Sequence, residues 1–318
     1  MILSPPYFLI HQLCTQNQLM KKAFLGMGLL GSNFVKAMRK RGEEVQVWNR
    51  TASKALALEP FGARAFTKVA EAVQGAGLIH LALKDDASVD EVLQAASEGF
   101  APGAVIIDHT TTSREGAIRR TADWKERGFV YQHAPVFMGP ANALEGSGYI
   151  MVSGDQETVN RLEPALSAMT GKLINLGGET GKAAAMKLAG NAFLVCFTFS
   201  LRETLAVGKS LGVYADDLQQ LFGFWNPGAQ APARLSRLTA ADHSQPSWEL
   251  GMARKDTQLF LDAAQNNNTD LSLLPAIAAI MDEWMEKGFA NHDWTVVGRE
   301  VDSELLLRGV LKMETDKF

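Results

Sequence analysis

Between the short apolar run Lys22-Ala23-Phe24-Leu25 and a stretch of helical periodicity over residues 32–41 stands Gly26-Met27-Gly28-Leu29-Leu30-Gly31. Glycines fall into this spacing by chance in many chains. Between a strand and a helix that ends at Gly42 they leave the chain few alternatives. The first glycine permits a tight turn, the second lets backbone approach a pyrophosphate, and the third lets helix pack closely on strand. The start of the helix then offers free N–H groups to phosphate oxygens. Gly26, Met27, Gly28, Leu29, Leu30 and Gly31 are therefore expected to cradle a dinucleotide.

The end of the next strand selects the dinucleotide. Val45-Gln46-Val47-Trp48 reads as that strand, and Asn49-Arg50-Thr51 follows with no acid among them. An NAD site places Asp or Glu here for the ribose 2′-hydroxyl. A guanidinium instead binds a 2′-phosphate through charge-assisted hydrogen bonds. Lys54, one helical turn on, adds a second positive charge. The cofactor expected from Asn49, Arg50, Thr51 and Lys54 is NADP(H).

Strands and helices alternate through the first half of the chain. Residues 78–83 and 104–108 are apolar runs that end at polar turns, with a crossover helix over 87–96 between them. Residues 128–136 and 148–153 read as further strands and 156–169 as a helix. Such alternation predicts an α/β fold: a doubly wound, Rossmann-type sheet with right-handed crossovers. Residues 180–210 read as one long helix, apolar on more than one face and so expected to be buried on several sides. Beyond it, 215–222, 231–239, 247–264, 273–287 and 296–311 are helical in pattern, with 265–270 a loop. The domains expected are a leader at 1–19, a dinucleotide domain at 20–179, a connecting helix at 180–210 and an all-α domain at 211–318.

Composition excludes several function classes. The chain has 318 residues and a formal charge of −4, which argues against a dedicated nucleic-acid binder. Its two cysteines, Cys14 and Cys196, support neither a disulfide framework nor a cysteine metal site, and no metal is expected. A reducing, cytoplasmic setting follows as the default. The apolar stretch around residues 188–201 reads as too short and interrupted to span a bilayer, so no membrane partner is expected. Residues 1–19 hold no Lys or Arg, unlike a signal or transit peptide, and Met20 reads as a natural start.

Five segments stand in order along the chain: the glycine loop, Asp108-His109-Thr110-Thr111, Ala134-Pro135-Val136, Lys187 with Asn191, and Lys255-Asp256. Together they resemble the β-hydroxyacid dehydrogenase family, in particular its NADP-dependent branch of the 3-hydroxyisobutyrate dehydrogenase and tartronate semialdehyde reductase type. The resemblance implies that Lys187 is the general acid/base and that Asn191, four residues on and on the same helix face, positions substrate. An ammonium both donates a proton to a developing alkoxide and stabilises its charge. It further implies that Thr110 and Thr111 stand beside nicotinamide and substrate, Leu83 beside the cofactor, and Lys255 beside substrate or ribose. A homodimer or homotetramer is expected at the same level.

The chain departs from the family at the substrate. Where the family reads Ser-Gly-Gly after Ala-Pro-Val and binds a carboxylate, this chain has Phe137-Met138-Gly139. Phe137 has no donor, Met138 limits close approach, and the substrate is expected to be less polar or differently shaped. Gly190 replaces the first of a paired Asn-Asn. The aromatic stretch 222–227 reads as core, dimer contact or pocket wall. The expected function is hydride transfer between NADPH and a small aldehyde or keto acid. The alternatives are an imine reductase, which usually carries Asp or Tyr in place of Lys187, and a non-catalytic NADP-binding module.

Overall fold

Strands Lys22–Leu25 (β1), Val45–Trp48 (β2), Arg64–Phe66 (β3), Leu78–Leu81 (β4), Val105–Asp108 (β5) and Val130–His133 (β6) form one all-parallel sheet. The computed structural model describes residues 21–299 and 301. Its strand order is β3-β2-β1-β4-β5-β6. Strands β1, β4 and β5 are buried throughout. Successive side chains enter opposite faces: Phe24 and Ile107 join one core cluster, Ala23, Leu25 and Ile106 the other. Continuous apolar runs thus reflect a sheet covered on both faces, as read from sequence. The order reverses between β1 and β4, and ligands of such sheets bind outside the carboxyl ends of the strands at that point.

Helices Leu29–Lys40 (α1), Ala52–Leu56 (α2), Val69–Ala72 (α3), Asp86–Ala96 (α4) and Arg114–Glu126 (α5) provide the crossovers. The strand expected over 128–136 is two strands in two sheets. The Ala134 N–H donates to the Asp108 carbonyl as the last bond of β6, and Pro135 then has no N–H with which to continue. Its carbonyl instead accepts from Met151 N–H at 2.9 Å, which hands the chain to a second sheet. That sheet runs Val136–Phe137 (β7), Tyr149–Val152 (β8) and Lys172–Asn175 (β9), with β7 antiparallel and β9 parallel to β8. Pro140–Glu145 (α6) and Gln156–Ser167 (α7) connect these strands.

Lys182–Ser210 (α8) is the expected long helix. Its start is pinned by the Ala183 N–H, which donates to Ser153 Oγ at 3.0 Å, with Ala183 and Ala184 buried. The expected burial on several sides does not extend along it: Phe193, Leu194, Val195, Phe197 and Phe199 are exposed. Apolar periodicity registers a demand for cover, and among the described residues it goes unmet along these turns. The bilayer reading needs correction as well. At 29 residues and a mean hydropathy of 1.5, α8 is long and apolar enough to cross a membrane by length and composition.

The chain divides at Ala192/Phe193 into two compact units. Among the described residues the second holds the rest of α8 and helices Ala215–Phe224 (α9), Ala231–Leu238 (α10), Leu250–Asn266 (α11) and Leu274–Trp284 (α12). Leu250, Ala253, Met281, Trp284 and Val296 form its core. Helix α11 starts later than the expected residue 247 because Ser247 N–H and Oγ both donate to Asp293 Oδ2 at 2.8 Å. The Glu203 carboxylate accepts from Ser272 and Leu274 N–H and so caps α12. Helix α12 ends early, in a looser turn broken at Gly288 (φ 91°). The segment expected as a helix over 296–311 opens on the 3₁₀ turn Trp294–Gly298, and Arg299 and Val301 are helical; 300 and 302–311, like the leader at 1–19, lie outside the described residues. Phe224 and Trp225 are exposed, so neither is core.

Candidate active site

The glycine loop joins β1 to α1 at the switch point of the sheet. Gly26 has φ 102°, and a Cβ there would stand 2.3 Å from the Ala82 carbonyl oxygen, at the end of β4. A Cβ on Gly31 would stand 1.9 Å from the Gly26 carbonyl oxygen. Both positions exclude any side chain because backbone already fills the space. Gly28 is different: nothing lies within 4 Å of its Cβ position. Its bare face opens on a cleft of about 460 Å³ lined also by Gly26, Arg50, Thr51, Lys54 and Leu83. Leu29, Leu30 and Gly31 follow as the first turn of α1, whose N–H groups lack intrahelical acceptors. A small ledge, free donors and a cationic rim fit a dinucleotide.

These glycines therefore separate by experiment. Gly28→Ala is expected to leave the unfolding free energy within about 1 kcal/mol of wild type while weakening NADPH binding. Gly31→Ala is expected to cost about 1–3 kcal/mol of stability through overpacking. Urea unfolding and NADPH fluorescence titration read the two effects, and equal destabilisation by both variants would contradict the assignment.

Asn49 has an architectural task. Its Oδ1 accepts from Met27 N–H at 2.9 Å and its Nδ2 donates to the Thr51 carbonyl at 3.0 Å. One amide thus ties the glycine loop to the turn after β2, with Met27 itself buried. Arg50, Thr51 and Lys54 are exposed along the cleft.

Lys187 and Asn191 lie one turn apart on α8, both partly buried. Lys187 Nζ sits 4.1 Å from the centroid of the Phe137 ring. Burial lowers the Lys187 pKa. Among the described residues no carboxylate lies within ion-pair distance of it. An ammonium that is desolvated and free of an acid partner gives up its proton more readily than an ordinary lysine, as a general acid must.

Comparison with known proteins places this geometry. Residues 21–178 match the family model described as the NAD binding domain of 6-phosphogluconate dehydrogenase. The glyoxylate/succinic semialdehyde reductase 2 of Arabidopsis thaliana, a chloroplastic protein, is 30% identical over 86% of this chain and 77% of its own length. The 3-sulfolactaldehyde reductase of Escherichia coli K12 is 25% identical over 92% of this chain and 99% of its own. The chain belongs to the β-hydroxyacid dehydrogenase family. It is an oxidoreductase with an NAD(P)-binding domain. A solved imine reductase from Myxococcus stipitatus, in complex with NADP+, shares the fold at a TM-score of 0.79 and 20% identity, covering 87% of this chain and 98% of that one.

In this β-hydroxyacid dehydrogenase the residues read as substrate contacts separate into inward and outward groups. Thr110 is buried: its Oγ1 accepts from Leu83 N–H at 3.0 Å, and its own N–H donates to Asp108 Oδ1 at 2.9 Å. It braces the loop after β4 against the loop after β5. Thr111 is exposed. Ser113 caps α5, accepting from Gly116 N–H at 3.0 Å. Met138, partly buried, packs against Gly148 and the core that holds Val136 and Ile150. Lys255 lies in the second unit, exposed and paired with Asp256 at 2.9 Å. Lys84 is likewise exposed and faces Asp85 at 3.6 Å.

Two polar networks in this dehydrogenase escaped the sequence reading. Tyr131 Oη donates to Asp108 Oδ2 at 2.6 Å and accepts from Arg120 Nε at 3.0 Å; Arg120 also reaches Asp86 and Asp90 on α4. This brace joins β5, β6, α4 and α5 beneath the Thr110 turn. The second network is histidine. His109 Nδ1 lies 2.8 Å from the Ala134 carbonyl, which only accepts, so His109 carries its proton there. Its Nε2 then accepts from His80 Nδ1 at 3.0 Å, which leaves His80 Nε2 a buried acceptor without a partner. His133 Nε2 donates to the Thr110 carbonyl at 2.9 Å, and its Nδ1 is likewise buried and unpartnered. Burial lowers all three pKa values, that of His109 to about 4. A polar residue at the end of β5 and a histidine in each of β4 and β6 were the only signals in the sequence.

Proposed function

We propose that the protein is an NADP(H)-dependent reductase of a small aldehyde or keto compound, with Lys187 as the proton donor. The observation that carries this reading is Lys187 itself: partly buried, its pKa lowered by burial, with no acid partner among the described residues. In this reading Gly26, Gly28 and the first turn of α1 hold the pyrophosphate, and Arg50 with Lys54 holds the 2′-phosphate. When bound, the reduced nicotinamide supplies a hydride to the carbonyl carbon. Lys187 Nζ gives its proton to the carbonyl oxygen as charge develops there, becomes a neutral amine, and recovers a proton from solvent. Asn191, one turn along, orients the carbonyl. The sum is one carbonyl, one NADPH and one proton giving one alcohol and one NADP+.

A panel of NADPH oxidation rates with glyoxylate, succinic semialdehyde, tartronate semialdehyde and an uncharged aldehyde tests the reading, with NADH run in parallel. Turnover of at least one aldehyde with NADPH preferred supports it; no aldehyde turnover sinks it. For the cofactor, Arg50→Ala is expected to raise KM for NADPH about 10- to 100-fold and leave NADH unaffected. Equal loss with both cofactors would refute the 2′-phosphate role.

A further inference from the structure

Binding a substrate carboxylate in a desolvated site requires built donors, because an unpaired buried anion is costly. In the first unit two of those positions offer none. Phe137 has no donor. The Gly139 N–H is already given to Asn142 Oδ1 at 2.9 Å, and Asn142 Nδ2 to Ser147 Oγ at 3.0 Å. Met138 is turned to the core against Gly148. What stands there instead is a ring. A Cβ on Gly190 would lie 2.4 Å from Phe137 Cζ, so the missing side chain at 190 is the space the ring occupies. Its face carries Lys187 Nζ at 4.1 Å, a cation–π contact that holds the ammonium beside an apolar surface. A carboxylate brought here would take Lys187 as its ion-pair partner, raise the lysine's pKa and draw Nζ from the carbonyl oxygen.

We infer that the site selects an uncharged aldehyde or ketone whose apolar substituent rests on Phe137, with Gly190 as the clearance that makes the ring possible. This rests on the reductase reading. The reaction is otherwise the one given above: hydride to carbon, proton from Lys187 to oxygen.

Two aldehydes with NADPH test it: 3-phenylpropanal, which carries an apolar tail, and succinic semialdehyde, which carries a carboxylate. Wild type is expected to favour 3-phenylpropanal by about 10²-fold or more in kcat/KM. Phe137→Ser, which restores a donor and removes the ring, is expected to shrink that ratio at least tenfold. Calorimetric titration of the NADPH-loaded protein with the two product alcohols, 3-phenylpropanol and 4-hydroxybutyrate, reads the same selectivity without turnover. Wild-type preference for succinic semialdehyde overturns the inference and leaves the reductase reading standing. No turnover of either aldehyde overturns the reductase reading, and equal binding of the two alcohols overturns the inference on its own. The wild-type arms hold even if Phe137→Ser fails to fold.

Discussion

Lys187→Met is expected to lower kcat for aldehyde reduction by about 10²–10⁴-fold, the usual share of a positioned general acid. Methionine keeps the volume and removes the proton, so NADPH affinity and thermal stability are expected to change little. The pH profile carries a second signature. Reduction needs the ammonium, so kcat/KM falls as pH rises through the Lys187 pKa. Burial sets that pKa below the ordinary lysine value, so the falling limb should begin at lower pH than a free lysine would give. The variant should lose the limb with the activity. A variant that keeps wild-type kcat would place the proton donor elsewhere.

Acidification is expected to unfold the protein well before its carboxylates titrate, because His80, His109 and His133 are buried neutral. The sign follows from the depressed folded pKa values. Each imidazole binds a proton when unfolded below about pH 6.5 and resists doing so when folded, so the unfolded state gains. The stabilisation is complete above that value and is lost as pH falls through the window from 6.5 toward the folded pKa values. His109 alone, with its folded pKa at about 4, accounts for about 3 kcal/mol by pH 4. Urea unfolding between pH 7 and 5 should show a slope steeper than the ~1.4 kcal/mol per pH unit that a single group permits. A flat dependence would mean that the histidines are charged in the fold or open to water.

The dinucleotide half of the site was legible in the sequence because each of its parts is local. Gly26 to Gly31 and Asn49 to Lys54 each directly follow a strand end, and the strand–helix alternation fixes where such ends meet. What was not legible depends on where side chains turn. Thr110 and Thr111 are equivalent in sequence, yet one is locked to Leu83 N–H and the other faces solvent. The Gly139 N–H could be counted from the sequence as a free donor; only the fold shows Asn142 occupying it. Phe137 and Gly190 stood out as separate departures, 53 positions apart, and their contact makes them one device. The β9 strand, Lys-Leu-Ile-Asn, is too short and half-exposed to show an alternation. The sequence reads as one strand straight through Pro135, because the apolar residues on both sides of it mask a change of sheet. The apolar face of α8 was visible, and its exposure was not, since a pattern states that cover is wanted without stating what supplies it.

The most direct test of the account follows NADPH oxidation by the wild-type protein against an uncharged aldehyde and a cyclic imine of similar size, each repeated with Lys187→Met. The aldehyde is expected to be reduced by wild type, and Lys187→Met is expected to slow this by about 10²-fold or more. Reduction of the imine alone, or aldehyde reduction that the loss of Lys187 leaves unslowed, would contradict the account.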